Sequence, residues 1–304
     1  MDLLHGDFEG RVRLAAFDFL RRVLDANGGV VRHEDVAGFT FEGNRIALLD
    51  RQRGIRKPAS MRGALSFRTV YASTPDERPY ADETGPDGLE RYKWRGTDPA
   101  HPENRALRVT MEEGLPCIWF NGIAQGFYVP VFPIWLVEEE PSDHQFVVAL
   151  NEEQRREWQT TPVMTADRAR YAMGVTRVRL HQPLFRARVL EAYERSCSLC
   201  HLRHPKLLDA AHIRRDSDGG VPAVTNEIAM CKLHHAAYDS NFIGIRPDYA
   251  IEVRADVLAE SDGPTLRHAI QGLHGEQLTL PRRRSARPDP EALEQRYDEF
   301  ENAS

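Results

Sequence analysis

The chain has 304 residues, enough for two ordinary domains, and its 41% hydrophobic and 28% charged content excludes a disordered polymer. No stretch approaches the roughly 18 continuous apolar residues of a membrane span, and the opening MDLLHGDFEG lacks the basic start and apolar run of a signal peptide, so a cytoplasmic protein with no membrane partner is expected. The net charge of −6 does not point to nucleic acid, but residues 168–215 hold eleven Arg or Lys against three acids, Glu191, Glu194 and Asp209. A local basic field of that kind is what phosphate binding needs; the global balance mostly affects solubility.

In chain order, a helix is expected over Arg11–Ala26, with Val12, Ala16, Phe19 and Val23 as its apolar stripe and Asn27-Gly28-Gly29 as its stop. Short strand-like runs follow at 38–41, 45–49, 64–72, 89–94, 116–120, 125–131, 134–138 and 145–150. Turn signals such as Glu42-Gly43-Asn44 and Asn121-Gly122 separate many of them. Glu103–Glu113 fits a short helix between Pro102 and Gly114. This alternation predicts an α+β domain over 1–150, built on a curved antiparallel sheet or partly closed barrel. Cys117, inside the apolar run 115–120, reads as a small buried hydrophobe.

A charged helix at 151–158, broken at Thr160-Thr161-Pro162, begins a linker over 151–180. The remainder, 181–304, reads as a second domain. It comprises a helix over 182–195, a strand over 207–213, a helix from about 231 to 241, a strand over 250–254, the basic loop 281–284 and a last helix over 290–302 that packs back onto the module.

Three of the four cysteines lie in this second domain. Cys197-x2-Cys200 and Cys231-x2-His234 are two knuckles that can close a tetrahedron around Zn²⁺, since thiolates favour zinc over magnesium. The fourth ligand is one of the adjacent His234 and His235. Cysteines in such spacing also fit a reducing compartment. The 30 residues between the knuckles exceed the usual zinc-ribbon spacing of about 15–20, so something is inserted there. The insertion carries Asp209, His212, Arg214, Arg215, Asp218-Gly219-Gly220 and Asn226. Alternation along the strand puts Leu208, Ala210 and His212 on one face. On the following helix, His235 and Asp239 are four apart and share a face, a pairing suited to a divalent metal.

Together these residues resemble the HNH endonuclease superfamily, the ββα-metal nucleases, closely over Cys197–Asp239. The resemblance implies that His212 is the general base and Asn226 holds its loop. It also implies that His235 binds the catalytic metal, with Asp239 at the second ligand position and Mg²⁺, Mn²⁺ or another divalent ion as the metal. Structural zinc then falls to Cys197, Cys200, Cys231 and His234. Two departures stand out. Ala211 occupies the place where many members carry a further ligand, with Asp209 two residues earlier, and His234 replaces a common cysteine. Arg214 and Arg215 follow the base and suit flanking phosphates. More loosely, the whole chain is similar to bacterial predicted restriction endonucleases with a C-terminal HNH module, through 182–193, Gly54–Pro58 and Tyr92–Asp98 with His101–Asn104.

The expected partner is double-stranded DNA, and the first domain is the expected reader. Arg51, Arg53, Arg56 and Lys57 surround a glycine in a loop suited to phosphate or groove contact. Tyr92, Trp94, Trp119, Phe127 and Tyr128 are candidates for a pocket that stacks an extruded base, against the competing reading that strand aromatics are core. With such a pocket the domain resembles the SRA/PUA-type barrels that detect modified cytosine. The expected function is a modification-dependent restriction endonuclease. The alternatives are a sequence-specific or nicking HNH enzyme on unmodified DNA, and a zinc-stabilised DNA-binding module without catalysis. One HNH site cuts one strand, so a double-strand cut calls for a homodimer or two binding events.

Overall fold

A computed structural model of the chain describes residues 7–71, 84–160, 165–215, 219–261 and 263–303. Ala72, Thr161-Pro162 and Asp218, named above in a strand end, a helix break and a loop, lie outside the described residues. Two compact units emerge, Met1–Leu184 and Phe185–Ser304. No helix among the described residues is long and apolar enough to cross a membrane.

The first unit opens with α1 (Phe8–Asn27), started by the Asp7 carboxylate accepting from the Gly10 N–H at 2.7 Å and ended by Gly28 in the left-handed region at φ 68°. Its elements continue as β1 (Val31–Arg32), α2 (His33–Val36), β2 (Thr40–Phe41), β3 (Asn44–Arg45), β4 (Ile55–Arg56), β5 (Ser66–Thr69), β6 (Glu90–Lys93), α3 (Pro102–Glu112), β7 (Cys117–Ala124), β8 (Phe127–Glu140), β9 (Gln145–Ala149), α4 (Glu152–Thr160) and α5 (Ala166–Thr176). The stretch expected as a linker, 151–180, is thus largely helical and falls within the first unit.

The sheet runs β4-β5-β7-β8-β9-β6, with β1 added beside β8. All pairings are antiparallel except β5 with β7, a parallel pair. The two strands expected at 125–131 and 134–138 are one, because β8 changes partners rather than ending. Its start pairs with β7 as far as Ile134, and from Trp135 it pairs with β9. Pro133 falls beside this changeover, where a missing N–H costs the ladder little. β7 is buried on both faces. Ile118 and Phe120 pack with Val12, Ala16 and Leu20 of α1, while Cys117 and Trp119 point into the concave side with Ala106 and Leu107 of α3. Cys117 is the buried hydrophobe expected, its thiol pushed up to about 12 by burial.

The sheet curls into a half-barrel, and its two ends meet. The Tyr92 ring on β6 packs tilted against Phe67 of β5, their centroids 4.3 Å apart, and its hydroxyl donates to the Arg68 carbonyl at 3.3 Å. Arg13, fully buried, ties α1 to the sheet. It donates to the carbonyls of Ala64 at 2.9 Å and Pro116 at 2.8 Å and pairs with Glu9. Burial lowers the Arg13 pKa, against which its pairing with Glu9 acts.

The second unit takes up α6 (Gln182–Ala192) from Phe185 onward. It then adds β10 (Leu208–His212), β11 (Glu227–Cys231), α7 (Lys232–Asp239), β12 (Ile243–Ile245), β13 (Ile251–Val253), α8 (Ala255–Ala259), α9 (Pro264–Ala269) and α10 (Pro290–Asn302). β10 and β11 form an antiparallel ribbon on which α7 packs. As expected, α10 returns to the module. Arg296, buried, donates to Tyr238 O at 2.6 Å and Asn241 Oδ1 at 2.5 Å and covers the Tyr238 ring. A Cβ on Gly244 of β12 would lie 2.5 Å from the Phe300 ring of α10, so the close approach requires glycine.

Candidate metal centre and active site

Cys197, Cys200, Cys231 and His234 converge, with one ligand atom from each and all four atoms within 4.8 Å of one another. The Cys197 and Cys231 sulfurs each lie 3.3 Å from His234 Nδ1, and the Cys200 and Cys231 sulfurs lie 4.0 Å apart. Bonds of about 2.3 Å to sulfur and about 2.0 Å to nitrogen in a tetrahedron need separations of this order. His234 Nε2 lies 2.7 Å from the Ala269 carbonyl. That contact assigns the ring proton to Nε2 and leaves Nδ1 as the ligand atom, an arrangement typical of metal-bound histidine. The cluster therefore fits Zn²⁺. The first knuckle is fastened to β11 by Ser198, whose N–H and hydroxyl both donate to Ala229 O at 2.8 and 2.7 Å.

The inserted segment builds the second site. His212 ends β10, directly across the ribbon from Glu227. Asn226, only 5% exposed, clamps the chain just beyond His212. Its Oδ1 accepts from Arg214 N at 2.9 Å, and its Nδ2 donates to Arg214 O at 2.9 Å and Val221 O at 3.1 Å. A Cβ on Gly220 would collide with the Arg214 carbonyl, which accounts for the second glycine of the pair. Replacing Asn226 by Ala leaves one donor and two acceptors without their partner, so Asn226→Ala is expected to lower stability by about 2–3 kcal/mol. Thermal unfolding checks this, and an unchanged midpoint refutes the clamp.

On α7, His235 Nε2 lies 3.3 Å from Asp239 Oδ2, and His235 Nδ1 lies 4.0 Å from Asp209 Oδ2. The imidazole thus sits between two carboxylates. The Nε2 side, with Asp239, has the separation that two ligands of one divalent ion adopt at about 2.1 Å each. Asp209 faces the other nitrogen and is paired with Arg186 at 3.2 Å. Arg214 is half-buried and Arg215 exposed, just beyond His212. Part of the basic excess of 168–215 is engaged internally, as in Arg186–Asp209, Arg195–Glu191 and Arg179 on the Phe132 carbonyl.

In the first unit the five candidate aromatics separate. Tyr92 and Trp94 line a cavity of about 250 Å³ between the two ends of the half-barrel, with Gly54, Arg68, Thr69 and Glu103. Phe127 and Tyr128 line another hollow with Arg32, Arg51 and Arg68. Trp119 is core, its indole N–H donating to Thr69 Oγ1 at 2.9 Å. Trp94 is 3% exposed, so it reaches a ligand only from inside the cavity. Arg53 is exposed, whereas Arg56 and Lys57 hydrogen-bond within their own unit, to Ala47 O at 3.3 Å and Met61 O at 2.6 Å.

Sequence reasoning did not single out Glu227 or the Ala269 carbonyl. Glu227 carried one signal, an acid at the head of the apolar run Ile228-Ala229-Met230.

His212 at the end of the first strand, Asn226 in the turn before the second strand and His235 on the helix that follows, stapled by a Cys3His cluster, make up a ββα arrangement. Residues 197–246 match the HNH endonuclease family, so the second unit carries an HNH endonuclease domain. Among solved structures, one described as "Modification dependent TagI restriction endonuclease" is similar over 82% of this chain and 85% of that chain, at 17% identity and a TM-score of 0.28. No curated protein matches the chain.

Proposed function

We propose that the chain is a restriction-type endonuclease that hydrolyses phosphodiester bonds of double-stranded DNA when its first unit engages a modified cytosine. The cavity between the half-barrel ends carries the second part of this reading. It is walled by Tyr92 and Trp94, faces that can stack a base, and by Arg68, Thr69 and Glu103, which can hydrogen-bond its edge. Its size of about 250 Å³ suits a single extruded base better than a larger ligand. In this respect the half-barrel is SRA/PUA-like.

In the second unit His212 takes the proton of the attacking water as its oxygen bonds to phosphorus and the bond to the 3′ oxygen breaks. Asn226 fixes the chain beyond the base through its three hydrogen bonds. His235 and Asp239 hold a divalent ion, Mg²⁺ or Mn²⁺, which when bound supplies positive charge to the phosphate and leaving oxygen. Arg214 and Arg215 contact the flanking phosphates. Zinc on the Cys3His cluster is structural. A homodimer, placing two such sites on one duplex, supplies the double-strand cut.

The test is cleavage of one long duplex in unmodified, 5-methylcytosine and 5-hydroxymethylcytosine forms, with Mg²⁺ or Mn²⁺. Cutting confined to a modified form is expected. Equal cutting of all three keeps the nuclease and rejects the modified-base reader.

A further inference from the structure

Glu227 is the least accessible acid near the site. Its side chain is 0% exposed, while the His212 side chain across the ribbon is 43% exposed. Glu227 Oε1 lies 3.2 Å from His212 Nε2. Burial pushes the phenols of Tyr193 and Tyr238 up, and the Glu227 carboxylate adds to both shifts, so it sits in the same apolar interior. A buried carboxylate is costly unless it is paired, and an apolar side chain of similar size serves a strand interior better. Stability alone therefore gives no reason for an acid here. Its partner in the ribbon does.

We propose that Glu227 is the positioning residue of His212: its carboxylate receives the Nε2–H, fixing the ring and leaving Nδ1 as the atom that takes the proton of water. As water oxygen bonds to phosphorus, that proton passes to Nδ1, the bond to the 3′ oxygen breaks, and the 3′ oxygen is reprotonated from solvent. The imidazolium so formed carries its new positive charge beside the fixed negative charge of Glu227. The proposal rests on His212 being the base, and it adds which nitrogen acts and what selects it.

Glu227→Leu and Glu227→Gln test it in the full zinc-loaded chain. Leu removes the acceptor and the buried charge, so its melting temperature and zinc content should not fall and its DNA Kd should not rise. Its single-turnover cleavage rate should drop about 10²-fold, with Gln intermediate at about 10-fold. A role confined to stability predicts the reverse ranking, with Leu harmless. Histidine-selective ¹⁵N labelling in alkaline buffer gives a second readout, with the His212 signal assigned by its absence in His212→Ala. The wild type should show Nε2 protonated and Nδ1 bare, and Glu227→Leu a mixture of tautomers. Wild-type cleavage by Glu227→Leu, a rate loss that tracks lost zinc or melting temperature, or an Nδ1–H tautomer in the wild type overturns the proposal. A wild type that cuts no DNA refutes the nuclease reading instead, and the tautomer measurement still decides the role of Glu227.

Discussion

His212→Ala should lower the single-turnover rate of DNA cleavage by about 10²–10⁴-fold, the range expected for loss of a general base. Zinc content and DNA affinity should stay near wild type, while the melting temperature should fall, because the buried Glu227 carboxylate loses its contact with His212. The expectation rests on where His212 sits. It closes β10, its side chain is 43% exposed, and it pairs with the buried Glu227. The ribbon does not need it, because the pairing of β10 with β11 is made by backbone groups from Leu208 onward. The neighbouring core positions Ala211 and Ile213 are untouched by the change. Gel analysis of cleavage, with binding followed by fluorescence anisotropy on the same duplex, separates the two effects. A variant that still cuts at the wild-type rate removes His212 from the mechanism. Equal loss of binding and cutting makes it a DNA contact instead.

The second large effect concerns the metal. Cys197→Ser, or stripping the ion with a strong chelator, should unfold the second unit outright. Structural zinc contributes on the order of 10–16 kcal/mol of apparent binding free energy, as much as or more than the roughly 5–15 kcal/mol that keeps a whole domain folded. Geometry makes the dependence acute here. Cys197 is fully buried within the same apolar cluster as Leu208, Ile228 and Tyr238, so the knuckle and the core form together. Loss of the ion also frees the segment that positions Ser198 against Ala229, and with it one edge of β11. Near-UV circular dichroism and zinc assay on the purified chain give the readout. A Cys197→Ser protein that keeps its cooperative unfolding transition and lacks zinc excludes a structural ion.

The cluster was readable in the sequence because ligand chemistry acts locally: two knuckles, each two residues across, suffice to name Cys197, Cys200 and Cys231. His234 was open against His235 until the Ala269 carbonyl, 35 residues further on, fixed its ring. The helix Pro290–Asn302 was equally plain, with Asp289 as cap and Pro290 in the first turn. Other features depend on chain segments far apart. The parallel pairing of β5 with β7 leaves no trace in hydrophobic alternation, which reports a strand but not its neighbour. The cavity beside Trp94 draws on residues 52–55, 68–70, 92–95 and 103, and it exists because the sheet curls until β5 and β6 meet. Aromatic residues that look alike in the sequence, such as Trp94 and Trp119, part company for that reason. The pairing of Glu227 with His212 was hidden for another reason, since a single acid entering a strand reads as a solvent-facing position until register places it opposite the histidine.

The Ala269 carbonyl reaching His234 also changes what counts as one inseparable piece of this enzyme. Residues 197–246 contain every side chain assigned to zinc, base and catalytic ion, yet the second-sphere acceptor lies in α9 and the bracing Arg296 and Phe300 lie in α10. Grafting the HNH module onto another domain therefore means carrying the chain from Phe185 through α10. A shorter graft would keep the chemistry's letters while losing the buttress that holds them in register.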